Sequence, residues 1–475
     1  MADFDRCVMI LVDGSRADVF QQMMADGELP NCQALFGDRG GARSGTTAMP
    51  SVSGPAHLPP ITGCYPGRSN IPGIRWFDRE RYAGSMLQPG RFRSYMSLNK
   101  TQRMNREVDP KVPSIWESFP DGGAMFCWFT RGLAPGNDLT RGEKVKASVK
   151  GFLTRNWEAG DNASGALLLK EVDSDRPFLF TVFPTIDELG HKGGPLSEAS
   201  LAAYRAFDGY LPKLRDALAK RGDPDRTLII ATSDHGQSAT HTHFDLVALV
   251  KEYAKEVLHF PFAWRHLRDC DAVSNVSGNS LAHLSFRSPT GWKERPDMTR
   301  SGTVGFDVIA ALMERPEIDL VLHREDGKIR IRSKRGSALL WREGDALHYS
   351  PTDGDPFGYP EFPPVLNDDQ ARTLTATTEH PDGLVQWEQM FWSKRCGDVV
   401  LTATTGYDLR THFEYQDHRG SHGSTWWEHM NVPVLMSMEL PDEPLRTVDI
   451  FPTLLSAMGR PIPGPIDGRN LHNQN

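Results

Sequence analysis

The stretch from Phe178 to Thr232 constrains the fold most strongly, because it has the pattern of a strand–helix–strand crossover. The apolar runs Phe178–Phe183 and Thr227–Thr232 are each typical of a buried strand. Between them, the sequence predicts a helix from about Ser197, its N-cap, to Lys220. Apolar residues recur there at three- and four-residue steps and form one core-facing stripe: Leu201, Tyr204, Phe207, Leu211, Leu214 and Leu218. A crossover of this kind joins parallel strands, so the sequence predicts an α/β fold.

Carboxylate and imidazole side chains follow three of the predicted strands. Asp187 and His191 come after the first strand of the crossover, and Asp234 and His235 come directly after the second. An apolar run near the start of the chain is followed at once by Asp13. Taken singly, the aspartates could be helix caps, and the histidines could be loop residues or hydrogen-bonded core residues. Their shared placement after apolar strands indicates a site, because open α/β sheets bind ligands beyond the carboxyl ends of their strands.

The segment Pro50–His57 has the pattern of a nucleophile turn, in which a strand ends and a helix begins. A strand predicted at Ala42–Thr47 leads into it, and Ser53 offers a hydroxyl group. Unpaired N–H groups at the start of a helix favour an anionic ligand, but a serine hydroxyl needs a base or a metal to become a nucleophile. The prolines at 59 and 60 predict that any helix here is short or kinked. We interpret His57 as a structural residue that packs or forms a hydrogen bond.

Three aspartates and three histidines of this chain are candidates for a double metal site beside Ser53. Carboxylate and imidazole ligands suit Zn²⁺, with Mn²⁺ as the alternative. Two such ions, about 4 Å apart, clamp the attacking and leaving oxygens of an in-line phosphoryl displacement. The candidate ligands are Asp13, Asp187, His191, Asp234, His235 and His422.

The order of these motifs resembles that of the alkaline phosphatase superfamily, most closely its type I phosphodiesterase/nucleotide pyrophosphatase branch. The matching motifs are Val12-Asp13-Gly14 with Arg16, the Pro50–His57 turn with Thr62-Gly63 and Tyr65-Pro66, Asp187-x-x-Gly190-His191 with Gly194-Pro195, Ser233-Asp234-His235-Gly236, and Gly420-x-His422-Gly423. The resemblance covers roughly residues 5–240 and 398–475. It implies a three-layer α/β/α alkaline-phosphatase-like core with a mostly parallel sheet.

The resemblance also implies a role for each candidate residue. One ion would be held by Asp187, His191 and His422, and the other by Asp13, Asp234 and His235 together with the Ser53 oxygen. Ser53 would attack phosphorus, and the covalent phospho-serine would then be hydrolysed, so that no separate general base is required.

Two departures from the branch leave the substrate class open. Its nucleophile is commonly threonine, whereas this chain has Ser53, and its phosphate-binding asparagine would fall at Ile74. A loop predicted at Asn70–Arg79 carries Arg75 and Trp76, which are candidates for contacts with a phosphate and a substrate ring. The alternative for this pair is ordinary surface packing.

Several functions remain open on the residues alone. The predicted function is metal-dependent cleavage of a small-molecule phosphoester by a phosphodiesterase or related phosphohydrolase, with a phosphomonoesterase, a phosphonate hydrolase or a phosphoryl transferase as alternatives on the same site. A metal-binding scaffold without catalytic activity is an alternative of another class, but no ligand is missing. A sulfatase would need arginine where His57 stands, and a serine hydrolase would need a glycine before Val52 in a Gly-x-Ser-x-Gly turn.

Length and charge limit the remaining classes. With 475 residues, the chain exceeds the size of one hydrophobic core, so we expect an inserted α+β, cap-like unit at 246–395 beside a core of 1–245 and 396–475. The net charge of -8 argues against nucleic-acid binding.

No apolar run reaches membrane-spanning length, and no signal peptide pattern is present, so a cytoplasmic location is expected. The six scattered cysteines are expected to be reduced and mostly buried. The oligomeric state cannot be inferred from the sequence.

Four further predictions concern local structure. We expect a strand within Ala124–Phe129, a return to the core sheet at Asp398–Ala403, an edge strand at Asn431–Met436 because of its proline, and a final helix at Thr447–Met458. The pair formed by His241 and His243 is interpreted as supporting or plain loop residues, because the six ligands already fill two metal sites.

Overall fold

The computed structural model describes residues 3–80, 92–95, 100–140, 158–260, 270–410 and 418–472. The α-helices, in chain order, are α1 (Ala17–Ala25), α2 (Pro30–Cys32), α3 (Pro59–Thr62), α4 (Lys100–Glu107), α5 (Ile115–Ser118), α6 (Glu158–Val172), α7 (Thr185–Gly193), α8 (Glu198–Arg221), α9 (Leu246–Lys251), α10 (Val304–Met313), α11 (Asp368–Thr375), α12 (Gly383–Met390), α13 (Trp427–Met430) and α14 (Ile450–Ala457). Shorter helical turns are the 3₁₀ helices Pro55–His57, Pro224–Arg226 and Thr447–Asp449 and the π-helical turn Gln33–Gly37.

The strands are numbered in the same way. They are β1 (Arg6–Val12), β2 (Ala42–Thr46), β3 (Arg75–Phe77), β4 (Phe92–Ser94), β5 (Gly123–Ala124), β6 (Phe178–Phe183), β7 (Thr227–Thr232), β8 (Ser238–His243), β9 (Val257–His259), β10 (Ala272–Ser277), β11 (Leu281–Phe286), β12 (Ile318–Glu325), β13 (Lys328–Ser333), β14 (Gly336–Glu343), β15 (Ala346–Thr352), β16 (Val365–Leu366), β17 (Val399–Ala403), β18 (Gly406–Asp408), β19 (Gly420–Ser421), β20 (Asn431–Met436) and β21 (Leu445–Arg446).

The central sheet has seven strands within the described residues, in the order β21-β2-β20-β7-β1-β6-β5. β1 pairs in parallel with β6 on one side and with β7 on the other, and β5 pairs in parallel with β6. β20 runs antiparallel to both of its neighbours. The prediction of a mostly parallel sheet is therefore confirmed, and the carboxyl ends of β1, β6 and β7 meet at one edge.

Helices cover both faces of this sheet. Met9 and Leu11 of β1 belong to a hydrophobic cluster that includes residues of α3 and α14. Val8 and Ile10 belong to a second cluster, which includes residues of α1 and α8. Because successive side chains of a strand point to opposite faces, these two clusters lie on opposite sides of the sheet. The arrangement is the three-layer α/β/α core that was predicted.

In the part of the chain that the structure describes, a second sheet has nine strands, in the order β16-β15-β14-β13-β12-β17-β11-β10-β9. Adjacent strands of this sheet pair antiparallel, except that β9 and β10 pair in parallel. β17 was expected to return to the central sheet, and that prediction is wrong, because the strand lies between β12 and β11. Its apolar run suits a buried strand in either sheet, and Val400 and Leu401 pack into clusters on opposite faces. The division of the chain at residues 246 and 395 stays a prediction.

Two other local predictions need correction. β20, expected at an edge because of Pro433, lies inside the central sheet. Its pairing with β7 begins at Val434, so the missing N–H of Pro433 falls just outside that ladder, while its carbonyl accepts a hydrogen bond of 2.8 Å from Thr232. The strand expected within Ala124–Phe129 covers only Gly123–Ala124. In contrast, Ser197 caps α8 as predicted, accepting from the N–H of Ser200.

A small sheet in the order β18-β8-β19 extends from the loop that follows β7. β19 pairs with the start of β8, and His422 follows directly after it. This pairing brings a residue from near the end of the chain to the carboxyl end of β7. All six cysteines are buried, as expected. Within the described residues, no helix combines the length and apolar content required to cross a bilayer.

Candidate active site

The six predicted ligands meet at the edge of the central sheet where β1, β6 and β7 end. They form two groups, and within each group the donor atoms lie within 4.8 Å of one another. The first group, called here the Asp13 triad, is Asp13, Asp234 and His235. The second, called the Asp187 triad, is Asp187, His191 and His422. The grouping is the one implied by the resemblance.

The backbone around Gly14 fixes the distance between the two triads. Gly14 has a φ of +73°, and a Cβ there would lie 2.6 Å from the Cα of Asp187. The N–H of Asp187 also donates to the carbonyl oxygen of Asp13, at 3.1 Å. Only glycine therefore fits between the end of β1 and the segment that carries the second triad.

Asp187 and His191 lie on α7, which the sequence did not predict, because the helix was expected to start only at Ser197. Positions i and i+4 of a helix lie on one face, and the Nε2 of His191 is 3.4 Å from the Oδ1 of Asp187. The helix was missed because Gly190 and Gly193 lower its propensity within a short segment. The unused signal was the Asp-x-x-x-His spacing.

Each of the three candidate histidine ligands is oriented by a backbone carbonyl. In each ring, Nδ1 faces a carbonyl oxygen and therefore carries the hydrogen, which leaves the lone pair of Nε2 free to bind a metal. The Nδ1–O distances are 2.7 Å from His191 to Gly420, 2.9 Å from His422 to Ser51 and 3.1 Å from His235 to Gly236. The rings of His235 and His422 stack with centroids 3.6 Å apart and planes at 9°, so the two triads are in contact.

The carboxylates of the site are crowded and buried, and this raises the pKa of Asp13 to about 7. Burial is the main cause, followed by the negative charges of Asp234 and Asp187. Burial would also raise the pKa of Asp234, but the imidazoles of His235 and His57 outweigh it and lower that pKa. Three buried carboxylates with three correctly oriented imidazoles form a donor set that fits two divalent cations, which would offset the crowded negative charge.

Ser53 lies at the Asp13 triad. Its half-buried hydroxyl is 3.1 Å from the Nε2 of His235 and 3.3 Å from the Oδ1 of Asp13. The turn that holds it follows β2 and precedes the 3₁₀ helix Pro55–His57 and the short α3, so the prediction of a short helix is confirmed. The hydroxyl oxygen is thus part of the same donor set as the Asp13 triad.

His57, interpreted from the sequence as structural, lies against two carboxylates of the Asp13 triad. Its Nε2 lies 3.1 Å from the Oδ2 of Asp234 and 3.9 Å from the Oδ2 of Asp13, and its ring is 1% exposed. Burial would lower its pKa, but the carboxylates of Asp234 and Asp13 raise the pKa of His57 to about 9. The residue therefore supports the Asp13 triad, which its position in the nucleophile turn could have indicated. Gln237, which gave no signal in the sequence, contacts Asp187.

Arg75 and Trp76 do not lie on an exposed loop, so that expectation is wrong. Both belong to β3 and are 6% and 1% exposed. Arg75 donates to the carbonyl oxygen of Val276 at 3.0 Å, and the indole N–H of Trp76 donates to the hydroxyl of Tyr95 at 3.2 Å. The guanidinium of Arg395 lies 4.1 Å from the Trp76 ring centroid. Trp76 is thus held inside the protein by polar and cation–π contacts that its sequence neighbours do not reveal.

The His241 and His243 pair lies on β8 and belongs to neither triad. The side chain of His241 is exposed, whereas the Nδ1 of His243 is 2.9 Å from the Oδ2 of Asp408. Both histidines therefore stand on a strand rather than in a loop, and the interpretation that neither is a ligand stays a prediction.

Comparison with known proteins identifies the same family that the sequence motifs resemble. The family model described as type I phosphodiesterase/nucleotide pyrophosphatase matches residues 7–288. The chain is 25% identical over 241 residues to human ectonucleotide pyrophosphatase/phosphodiesterase family member 7, which covers 49% of this chain and 48% of that protein. It is also 25% identical over 268 residues to rat family member 3, covering 54% of this chain and 27% of the relative. The match to family member 7 thus spans about half of each protein.

Two solved structures share the fold over nearly the whole chain. Phosphonoacetate hydrolase from Sinorhizobium meliloti 1021, in complex with phosphonoformate, has a TM-score of 0.57 at 16% identity and covers 96% of both chains. Human ectonucleotide pyrophosphatase/phosphodiesterase 5 has a TM-score of 0.57 at 14% identity, covering 98% of this chain and 97% of the other. The alkaline-phosphatase-like fold is therefore confirmed. Because the family model matches more than half of the chain, the chain belongs to the type I phosphodiesterase/nucleotide pyrophosphatase family.

Proposed function

We propose that this protein is a metal-dependent phosphodiesterase that cleaves a small-molecule phosphodiester through a covalent intermediate on Ser53. The observation that carries the proposal is the position of the Ser53 hydroxyl, 3.1 Å from His235 Nε2 and 3.3 Å from Asp13 Oδ1. A serine within a set of carboxylates and imidazoles has the surroundings that a weak nucleophile needs to become reactive.

The two triads would each hold one divalent ion. Their mixture of carboxylate and imidazole donors favours Zn²⁺, with Mn²⁺ as the alternative. Ions bound there would supply Lewis-acid stabilisation of the negative charge on the phosphoryl oxygens and would lower the pKa of the serine hydroxyl. The contact between the rings of His235 and His422 supports one composite site rather than two independent ones.

The proposed reaction is a double displacement at phosphorus. In the first step, Ser53 Oγ loses its proton to solvent and bonds to phosphorus, while the bond from phosphorus to the leaving oxygen breaks and the departing alkoxide takes up a proton. In the second step, the oxygen of a water molecule bonds to phosphorus and the bond to Oγ breaks. The water loses one proton to solvent and Ser53 regains one. The sum is one diester and one water converted to a monoester and an alcohol.

The residues around the triads keep the reacting groups in place. The carbonyl oxygens of Ser51, Gly236 and Gly420 fix the three imidazoles, and Ser51 stands two positions before the nucleophile. A change in the turn would therefore disturb both the nucleophile and His422. This coupling supports a site built for a single reaction rather than a passive metal scaffold.

The names of the relatives favour a diester as substrate, since family members 7 and 3 are ectonucleotide pyrophosphatase/phosphodiesterases. We extend that class to this chain as part of the proposal. A cytoplasmic location and a monoesterase, phosphonate hydrolase or transferase activity stay predictions from the sequence.

The test compares hydrolysis of bis(4-nitrophenyl) phosphate with that of 4-nitrophenyl phosphate and phosphonoacetate. Protein loaded with Zn²⁺ or Mn²⁺ is assayed with and without a chelator, beside Ser53→Ala. The matched control is Ser69→Ala, since Ser69 is buried and its hydroxyl has no hydrogen-bond partner among the described residues.

We expect the diester to be cleaved fastest, the chelator and Ser53→Ala each to abolish the activity, and Ser69→Ala to retain it. Faster cleavage of the monoester or of phosphonoacetate would support the proposed site but would identify the enzyme as a phosphomonoesterase or a phosphonate hydrolase. Binding of two ions without cleavage of any probe would favour the scaffold alternative.

A further inference from the structure

The side chain of Gln237 joins the two triads. It lies on the loop between β7 and β8, close after Asp234 and His235, and is 1% exposed. Its Nε2 donates a hydrogen bond of 2.9 Å to the backbone carbonyl oxygen of Asp187 and a second one to the Oδ1 of the same residue. The loop that carries one triad thus holds the carboxylate of the other.

The space for this amide is built into the Asp187 triad. A Cβ at Gly190 would collide with the Oε1 of Gln237, and a Cβ at Gly420 would lie 3.0 Å from the same atom. Gly190 stands on α7 next to His191, and the carbonyl oxygen of Gly420 accepts from the Nδ1 of His191. Gly190 and Gly420, which have no side chains, therefore leave the space that the Gln237 amide fills.

The contact can orient Asp187 without competing with a metal. A carboxylate oxygen accepts two hydrogen bonds or ligand bonds, so the bond from Gln237 leaves one direction of Oδ1 and all of Oδ2 available. The other hydrogen bond of the Gln237 amide goes to the backbone carbonyl of Asp187, so the amide is fixed to the backbone of α7 and not only to the Asp187 side chain. A neutral donor also adds no charge that would repel a cation.

We infer that Gln237 is a positioning residue that fixes the Asp187 carboxylate for the ion held by the Asp187 triad. The inference rests on the proposed two-ion site. Loss of partners that hold ligating side chains typically lowers metal affinity by about 10- to 100-fold. Because Gln237 contacts only Asp187 among the ligands, this loss should be confined to one of the two ions.

The test is a titration with Zn²⁺ of protein from which a chelator has removed all metal. Binding is measured by calorimetry and by competition with a chromogenic chelator. We expect two ions per wild-type chain. Gln237→Met, which keeps the length but removes both donors, should bind one ion with wild-type affinity and the other about 10- to 100-fold more weakly. Gln237→Glu keeps the shape and places a carboxylate against Asp187, so it should show the same selective loss. If Gln237→Met fails to fold, the metal affinities of Gln237→Glu provide the test.

Two backgrounds identify which ion is affected. Asp234→Asn should leave the Asp187 triad as the stronger site, and addition of Gln237→Met should weaken the remaining ion. In the Asp187→Asn background, addition of Gln237→Met should leave the remaining affinity unchanged. The matched control is Gln386→Met, since Gln386 is a buried glutamine that donates at 2.7 Å to a different aspartate, Asp382.

The control separates the role of Gln237 from the general cost of losing a buried amide. Gln386→Met should retain both ions at wild-type affinity, even if its unfolding temperature falls. Wild-type affinity for both ions in the two Gln237 variants, or equal weakening of both sites, would overturn the inference. A wild-type protein that binds fewer than two ions would contradict the two-ion proposal itself, a result that the titration reports before any variant is measured.

Discussion

The Nε2 of His57 lies 3.1 Å from the Oδ2 of Asp234, and this contact ties the nucleophile turn to the end of β7. Ser53 and His57 belong to the same short turn, so one segment carries the candidate nucleophile and also contacts Asp234 of the triad beside it. The geometry makes the turn and the Asp13 triad a single unit.

Replacement of His57 should therefore weaken the site without removing a ligand. We expect His57→Ala to lower kcat/KM by about 10- to 100-fold and to weaken one of the two ions, because Asp234 loses its partner. His57→Gln retains a side-chain donor and should recover part of the loss. Steady-state kinetics and zinc content on the same samples check this, and wild-type values for both in His57→Ala would show that the contact has no functional role.

Removal of the ions should also destabilise the fold, because a ligand that binds only the native state adds to its stability. At a free metal concentration of about 100 times Kd, each site contributes about 2.7 kcal/mol. We expect the thermal unfolding temperature to fall after chelation and to recover on addition of Zn²⁺. Asp187→Asn should recover less than the wild type, as measured by differential scanning calorimetry. A melting temperature that does not respond to chelator and metal would contradict the assignment of the triads.

Trp76 should act through packing rather than through substrate contact. Trp76→Phe removes the hydrogen bond to Tyr95 and leaves a gap beside Arg395, so we expect a loss of about 1–3 kcal/mol in the free energy of unfolding. The KM for the diester should stay at the wild-type value. Denaturant unfolding and kinetics of the metal-loaded variant check both values, and a raised KM with unchanged stability would restore the substrate-contact hypothesis.

His283, a buried histidine of β11, should make the protein sensitive to acid. Burial, with smaller contributions from Arg295 and Arg324, lowers its pKa to about 4, and its Nδ1 accepts a hydrogen bond of 3.2 Å from the N–H of Gly397. In the unfolded chain the pKa is about 6.5, so between these values only the unfolded state takes up the proton. Stability should fall as the pH drops from about 6.5 to about 4.

His283→Asn keeps an acceptor for Gly397 but cannot titrate. The free energy of unfolding of the variant should therefore change less with pH than that of the wild type, by up to about 1.4 kcal/mol per pH unit within this range. Urea unfolding at a series of pH values measures the difference. The protein is first freed of metal with a chelator, so that metal release at low pH does not contribute to the measured stability. Parallel curves for the two proteins would show that His283 does not titrate in this way.

The sequence was sufficient to predict the features that depend on local pattern. The apolar runs of β1, β6 and β7 are long and continuous, and each is followed by its ligand residues, so both the sheet and the site could be predicted. The resemblance to the family then implied the grouping of the candidate ligands. The apolar runs and the ligand motifs can each be recognised from a few neighbouring residues of the sequence.

The predictions that failed depend on contacts between distant segments. An apolar run such as Val399–Ala403 fits either sheet, and only its partners β11 and β12 decide between them. The burial of Trp76 depends on Tyr95 and Arg395, and the contact of Gln237 with Asp187 depends on the space that Gly190 leaves on α7. Residue type alone does not specify such partners.

The measurement that tests the central claim most directly is the stereochemistry at phosphorus. A phosphorothioate diester of defined configuration is hydrolysed in ¹⁸O-labelled water by the metal-loaded enzyme, and the configuration of the product is determined. Attack by Ser53 followed by attack of water gives two inversions, so the account predicts overall retention. Inversion would mean that water attacks phosphorus directly, and it would contradict the proposed role of Ser53 as nucleophile.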